Sequence, residues 1–341
     1  MQKKNQFYVV YTGGTIGMRH SPQGYIPVSG HLQAQLAQMP EFHRLEMPEF
    51  TIREHQPLID SSDITPEDWQ LIADDISENY PLYDGFVILH GTDTMAFTAS
   101  ALSFMFENLK KPVIVTGSAN TLTRHSRSDG QTNLLNALYL AANYPINEVG
   151  LFFNNKLYRG NRTVKAHADG FDAFSSPNCS PLMEAGINIR SFNTCPAPIG
   201  IGEFKAHRIT PQPIGVVTLY PGLSIEIVRN ILQQPVKALI LRSYGVGNAP
   251  QQPELLRILR EATNRGIIVV NLTQCISGRV NMEGYATGHA LADAGVISGY
   301  DMTFEAALSK LHYLLSQNYT PALIRELMQN NLRGELSYAD D

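Results

Sequence analysis

The chain has 341 residues, 43% of them hydrophobic and 17% charged, with a formal net charge of −5. This is enough apolar chain for a sizeable core and suits two domains of ordinary size. The mild acidity offers no basic face for nucleic acid or anionic lipid, so a small polar ligand is the better expectation.

The N-terminal residues run straight into a short apolar strand, Phe7 to Tyr11, which is too short for a secretory h-region and lacks a small-residue cleavage site. No window approaches the length of a membrane span, and a cytoplasmic protein is expected. The cysteines, Cys179, Cys195 and Cys275, are odd in number and lack a C-x-x-C pair, so neither a disulfide framework nor a zinc site is indicated.

Three apolar runs, Phe7 to Tyr11, Phe86 to Leu89 and Val113 to Val115, are each followed at once by a glycine turn. Unalternated β-branched runs predict parallel strands buried on both faces. Between the first two, Thr65 is a good N-cap, Pro66 suits the first helical turn, Asp68 completes a capping box, and Trp69, Ile72 and Ile76 share a face. From Arg190 to Pro213 the chain is proline-rich and aperiodic, as in a linker. Beyond it, residues 215–219, 238–241 and 267–270 predict three more buried strands, with helices over 224–232 and 253–264, the latter closed by Gly266. The expected fold is α/β: a larger N-terminal doubly wound domain (1–190), a linker (191–213) and a smaller C-terminal Rossmann-like α/β domain (214–341).

In such sheets ligands sit beyond the carboxyl ends of the strands, which directs attention to residues 12–17, 90–94 and 116–119. Thr12-Gly-Gly-Thr-Ile-Gly17 is not a dinucleotide fingerprint, because Thr12 stands where glycine is required and no acid lies between Met18 and Pro40. No cofactor or metal is expected. Instead hydroxyls gather there: Thr12 and Thr15, then His90-Gly-Thr-Asp-Thr94. Glycine-flanked hydroxyls beside free backbone N–H groups suit nucleophilic acyl chemistry. Alone, a threonine in such a turn commonly satisfies its own backbone; paired with Thr92 and Asp93 it points to catalysis.

Those two segments resemble the signature motifs of the bacterial L-asparaginases, and the whole chain is similar in length and order to the cytoplasmic type I members. Asp60-Ser-Ser-Asp63, Arg162-Thr-Val-Lys-Ala-His167, Arg242-Ser-Tyr-Gly-Val-Gly-Asn248 and Asn271-Leu-Thr-Gln-Cys275 match as well. The resemblance implies hydrolysis of asparagine by Thr15 through an acyl-enzyme ester, with a glutaminase, a mixed enzyme or an inactive amino-acid sensor as alternatives. It gives Tyr25 a place on a lid over the substrate. It makes Thr92, Asp93 and Lys165 a relay in which the Thr92 hydroxyl activates either the nucleophile or the attacking water. A threonine hydroxyl does need such help near neutral pH, and a lysine buried beside Asp93 can supply it.

For substrate binding the resemblance implies Asp60, Ser61, Ser62, Gly91 and the Ser118 carbonyl, the last receiving the leaving amide. It also implies a candidate effector site at Arg242, Asn248, Thr273, Gln274 and Cys275, and a homodimer or homotetramer. Two departures stand out. Residues 119–127 replace a shorter, proline-containing stretch, and Val164 stands where a hydroxyl residue is common, which predicts weakened regulation. The polar span from Gly17 to Pro27, with Pro22 and Gly24, suits a mobile lid. His90, His125 and His167 read as hydrogen-bonded structural residues, Cys275 as a small buried hydrophobe, and Asp63 as a cap for the helix starting near Thr65.

Overall fold

The computed structural model describes residues 4–22, 24–122, 128–192, 195, 197–198, 200–284 and 286–338. His125 and residues 123–127 of the altered stretch lie outside them. The chain divides into two compact units, residues 1–194 with 199–207, and residues 195–198 with 208–341.

In the first unit β1 (Gln6–Tyr11) leads into a hairpin of β2 (Met18–Ser21) and β3 (Gly24–Pro27), followed by α1 (His31–Leu36) and β4 (Glu49–Glu54). Then come α2 (Pro66–Asn79), β5 (Gly85–Leu89), α3 (Met95–Met105), β6 (Phe106–Glu107), β7 (Val113–Thr116) and α4 (Gly130–Asn143). After β8 (Val149–Phe153) the chain turns back through β9 (Lys156–Arg159). It then makes β10 (Val164–Lys165) with β11 (Phe174–Ser175), β12 (Met183–Ala185) with β13 (Ile189–Ser191), and β14 (Lys205–Ala206).

Among the described residues the main sheet has the order β13-β12-β9-β8-β7-β5-β1-β4. β4, β1, β5, β7 and β8 run parallel, and β9, β12 and β13 continue the sheet antiparallel. The unbroken apolar runs are accounted for by burial on both faces. Phe7, Val9, Tyr11, Val87, Leu89 and Ile114 pack with Leu32, Leu36, Leu134 and Leu138 of α1 and α4. On the other face the Tyr8 hydroxyl reaches Asp75 of α2 at 3.0 Å. Helix α2 starts as its sequence predicts: the Asp68 carboxylate takes both the Thr65 N–H and the Thr65 hydroxyl at 2.7 Å, and Trp69, Ile72 and Ile76 are buried. Asp63, also expected to cap this helix, does not: it ends a separate 3-10 turn, Ser61–Asp63, capped by Asp60.

The second unit holds β15 (Ile214–Thr218), α5 (Ile225–Gln233), β16 (Ala238–Ser243), α6 (Pro253–Asn264), β17 (Ile268–Thr273), α7 (Ala286–Asp293), β18 (Ile297–Ser298), α8 (Phe304–Leu315) and α9 (Pro321–Gln329). The strands pair in parallel in sequence order. Strand β15 was expected to be buried but forms the sheet's edge, with Val216 39% exposed. Two cysteine expectations also fail: Cys179 and Cys195 are disulfide-bonded, and Cys275 is exposed rather than buried. No helix among the described residues is long and apolar enough to cross a membrane.

Candidate functional site

The site grows from three loops that leave the carboxyl ends of β1, β5 and β7. The first turns sharply because Gly13 and Gly14 take φ of 142° and 91°, a region in which side chains are strained. The turn is also crowded. A Cβ on Gly14 would stand 2.6 Å from the Gly91 nitrogen, and one on Gly91 would stand 2.4 Å from the Ser61 hydroxyl. The glycines therefore let the Thr15 and Thr92 loops meet backbone to backbone and let the Ser61 side chain lie against Gly91. Thr15 opens the 3-10 turn Thr15–Gly17.

The two threonines after β1 differ in role. The Thr12 hydroxyl is buried and donates to the Leu89 carbonyl at 2.9 Å, so it ties β1 to β5. Tyr11, a residue the sequence reading passed over, donates its hydroxyl to the Gly14 carbonyl at 3.3 Å. Burial pushes the Tyr11 phenol well above its ordinary range, with the Glu54 charge acting in the same sense, so it remains a protonated brace under the turn.

The second loop brings Thr92 and Asp93 to Lys165. The lysine ammonium, on the two-residue strand β10, donates to the Thr92 hydroxyl at 3.1 Å and to the Asp93 carboxylate at 2.6 Å. Thr94 donates to the Ser61 carbonyl at 2.6 Å, which fastens this loop to the Ser61 turn. Within that turn the Asp60 carboxylate accepts from the Ser62 N–H at 3.0 Å and the Ser62 hydroxyl at 2.9 Å, while Ser61 is buried. Ser118 is buried just past β7, where a Cβ on Gly130 would stand 3.1 Å from both Ser118 and Ile16.

One expectation needs correction: Lys165 was expected to be buried beside Asp93, yet its side chain is 21% exposed and that of Asp93 61%. Burial of the lysine is thus partial. Within the span expected to form a lid, β2 and β3 pair as an antiparallel hairpin, with Tyr25 opposite His20 and their rings edge-on at 5.4 Å. Tyr25 is 41% exposed.

His90 supports the loop from beneath. It is buried, with Nδ1 2.7 Å from the Gly91 carbonyl and Nε2 2.9 Å from the Thr98 hydroxyl. Burial pushes its pKa down to about 4, so it is neutral and structural rather than a general base. The stability consequence has a definite sign. As pH falls from 6.5 through about 4, the unfolded chain takes up a proton that folded His90 resists. The expected loss from this group is about 3 kcal/mol. Urea midpoints of wild type and His90→Gln at pH 7 and pH 4 check it, since the variant should lose less over that interval.

The candidate effector residues all lie in the second unit. Thr273 donates to the Gly245 carbonyl at 2.5 Å, Gln274 to the Leu219 and Arg242 carbonyls at 2.7 and 2.9 Å, and Asn248 accepts from Thr287 at 2.5 Å. Arg242 lies over the Phe304 ring. The side chains of Asn248, Thr273 and Gln274 are thus engaged within the second unit, Asn248 with α7 and the other two with strand ends and the loops that follow them.

The whole chain is similar to known proteins. Residues 6–196 match the family model "Asparaginase, N-terminal", and residues 213–328 match "Glutaminase/Asparaginase C-terminal domain". The chain is 73% identical to L-asparaginase 1 of Escherichia coli (strain K12), with 100% of both chains covered. The crystal structure of L-asparaginase I from Vibrio cholerae aligns with a TM-score of 0.92 at 66% identity, covering 98% of this chain and 100% of that one. The thermostable L-asparaginase from Thermococcus kodakarensis aligns with a TM-score of 0.88 at 34% identity, again over 98% and 100%.

Proposed function

This chain belongs to the asparaginase family, and from that premise we propose that it hydrolyses the side-chain amide of L-asparagine to L-aspartate and ammonia. Thr15 is the nucleophile. Its hydroxyl oxygen attacks the amide carbon, the C–N bond breaks, nitrogen leaves as ammonia with the proton Thr15 gives up, and water then cleaves the ester.

The observation that carries the reading is the Lys165 ammonium bridging Thr92 and Asp93, on a loop whose Gly91 abuts Gly14 beside Thr15. A cation against the Thr92 hydroxyl favours its deprotonated form, which lets it draw a proton from Thr15 or from the attacking water. Asp93 takes the substrate α-ammonium. Ser61, with backbone N–H groups near Asp60 and Gly91, takes the α-carboxylate. Tyr25 acts when the hairpin moves inward. The protein works in the cytoplasm as a homodimer or homotetramer.

The test is ammonia release from asparagine and from glutamine by wild type and Thr15→Val. Valine keeps the shape and removes the hydroxyl, so the variant should lose nearly all turnover; full activity would refute the mechanism. Glutamine carries one more methylene, which separates substrates by only about 1–3 kcal/mol, so measurable glutamine turnover is compatible with the proposal.

Val164 precedes Lys165 in β10, paired with Ser175 of β11. Valine offers no hydrogen bond, so effector control is expected to be weak and initial rate should rise hyperbolically with asparagine. Strong sigmoidicity would show that the hydroxyl is dispensable.

A further inference from the structure

The turn after β7 is held by one carboxylate. Asp129 accepts from the Ala119 N–H at 2.9 Å, from the Asn120 N–H at 3.2 Å and from the Asn133 amide at 3.3 Å. Asn133, buried on α4, also donates to the Gly117 carbonyl at 3.0 Å and accepts from the Asn154 N–H at 3.2 Å. Polar groups on both sides of Ser118 are therefore fastened to the start of α4.

The geometry of the peptide unit gives this clamp a direction. Ser118 C=O and Ala119 N–H belong to one planar trans amide, in which the two bonds point opposite ways. A carboxylate bonded to that N–H turns the Ser118 carbonyl away from α4. It also polarises the amide, leaving the oxygen a stronger acceptor. The same turn is packed against the nucleophile's loop: the Leu122 N–H donates to the Ile16 carbonyl at 3.3 Å, and a side chain at Gly130 would crowd both Ser118 and Ile16.

We propose that Asp129 is a positioning residue for amide cleavage: through the Ala119 N–H it aims the Ser118 carbonyl at the leaving nitrogen, while Asn133 fixes the preceding peptide. This rests on the reading of Thr15 as nucleophile and of the Ser118 carbonyl as the group that receives the substrate amide. Such an acceptor serves a leaving group that bears N–H bonds and gains positive charge as the C–N bond breaks. It does nothing for an ester, whose leaving oxygen presents lone pairs to the carbonyl.

That contrast supplies the experiment. Values of kcat/KM, which report acylation, are measured on asparagine and on the β-methyl ester of aspartate for wild type, Asp129→Asn and Asp129→Ala. For Asp129→Ala the amide value should fall about tenfold or more, with the ester value held within about twofold. Asp129→Asn keeps the shape and one acceptor, so it should lie between, and it carries the comparison should the alanine variant fold poorly. Parallel loss of both activities in both variants overturns the proposal, as does an undiminished amide rate. A wild type inactive on both substrates, or an active Thr15→Val, brings down the underlying reading instead.

Discussion

Replacing Lys165 with methionine is expected to lower kcat for asparagine by about 10² to 10⁴, the range for loss of a group that moves protons in the transition state. Methionine preserves much of the side chain's length and removes the ammonium. What disappears is the contact to Thr92 at 3.1 Å and to Asp93 at 2.6 Å. Because Asp93 stays in place for the substrate ammonium, KM should change far less than kcat. Thr92→Val should cause a loss of similar size. If the two residues act as one relay, the double variant is no worse than the poorer single one, since groups that work as a unit are non-additive. Steady-state ammonia release decides the matter, and losses that multiply would mean Lys165 and Thr92 act separately.

The largest stability effect is expected far from those residues in sequence. Lys310 on α8 and Glu335 near the C-terminus form an ion pair at 2.5 Å with both side chains fully buried. Burial alone would raise the Glu335 pKa. The Lys310 charge and the N–H groups of Leu332 and Arg333, at 3.0 and 2.6 Å, outweigh it and hold the carboxylate ionised. Lys310 in turn donates to the Met328 and Asn330 carbonyls at 3.1 and 2.6 Å, closing the end of α9. Glu335→Gln leaves a buried cation without its counter-charge and should cost about 3 to 5 kcal/mol. Removing both ions, as in Lys310→Met with Glu335→Leu, should cost less than the two single losses combined, although the α9 carbonyls and the tail N–H groups still lose partners. Urea unfolding measures this, and a Glu335→Gln midpoint equal to wild type would show that the pair is energetically idle.

What the sequence revealed was what is local. The Thr65–Asp68 box lies within one turn of helix, so its spacing is its structure. The buried parallel strands announce themselves because both faces are covered, and the glycine turns after them follow at once. Features set by distant partners stayed hidden. The antiparallel extension of the main sheet begins at a turn where Asn154 and Asn155 take φ of 46° and 64°. Asparagine at both central positions between apolar runs is a legible hairpin signal, although it breaks the alternation of strands and helices that marks the parallel part of the sheet. The Asp129 clamp joins Ala119 and Asn120 to α4 across a stretch with no periodicity. Exposure was invisible for a related reason: Asp93 sits on a loop and Lys165 on a two-residue strand outside the main sheet, and what covers them is decided by distant parts of the chain. Tyr11 looked like one more core aromatic, and only its reach to Gly14 distinguishes it.

Strand β14 pairs antiparallel with β6, Lys205 against Glu107 and Ala206 against Phe106, and the neighbouring His207 ring meets the Glu107 carboxylate at 2.6 Å. Residues 200–207 of the stretch that composition marks as a connector therefore belong to the first unit. Anyone excising that unit for separate expression should carry the gene fragment through His207. A stop codon placed at the start of the proline-rich tract would strip Phe106 and Glu107 of their hydrogen-bonding neighbour and leave an edge open to self-association.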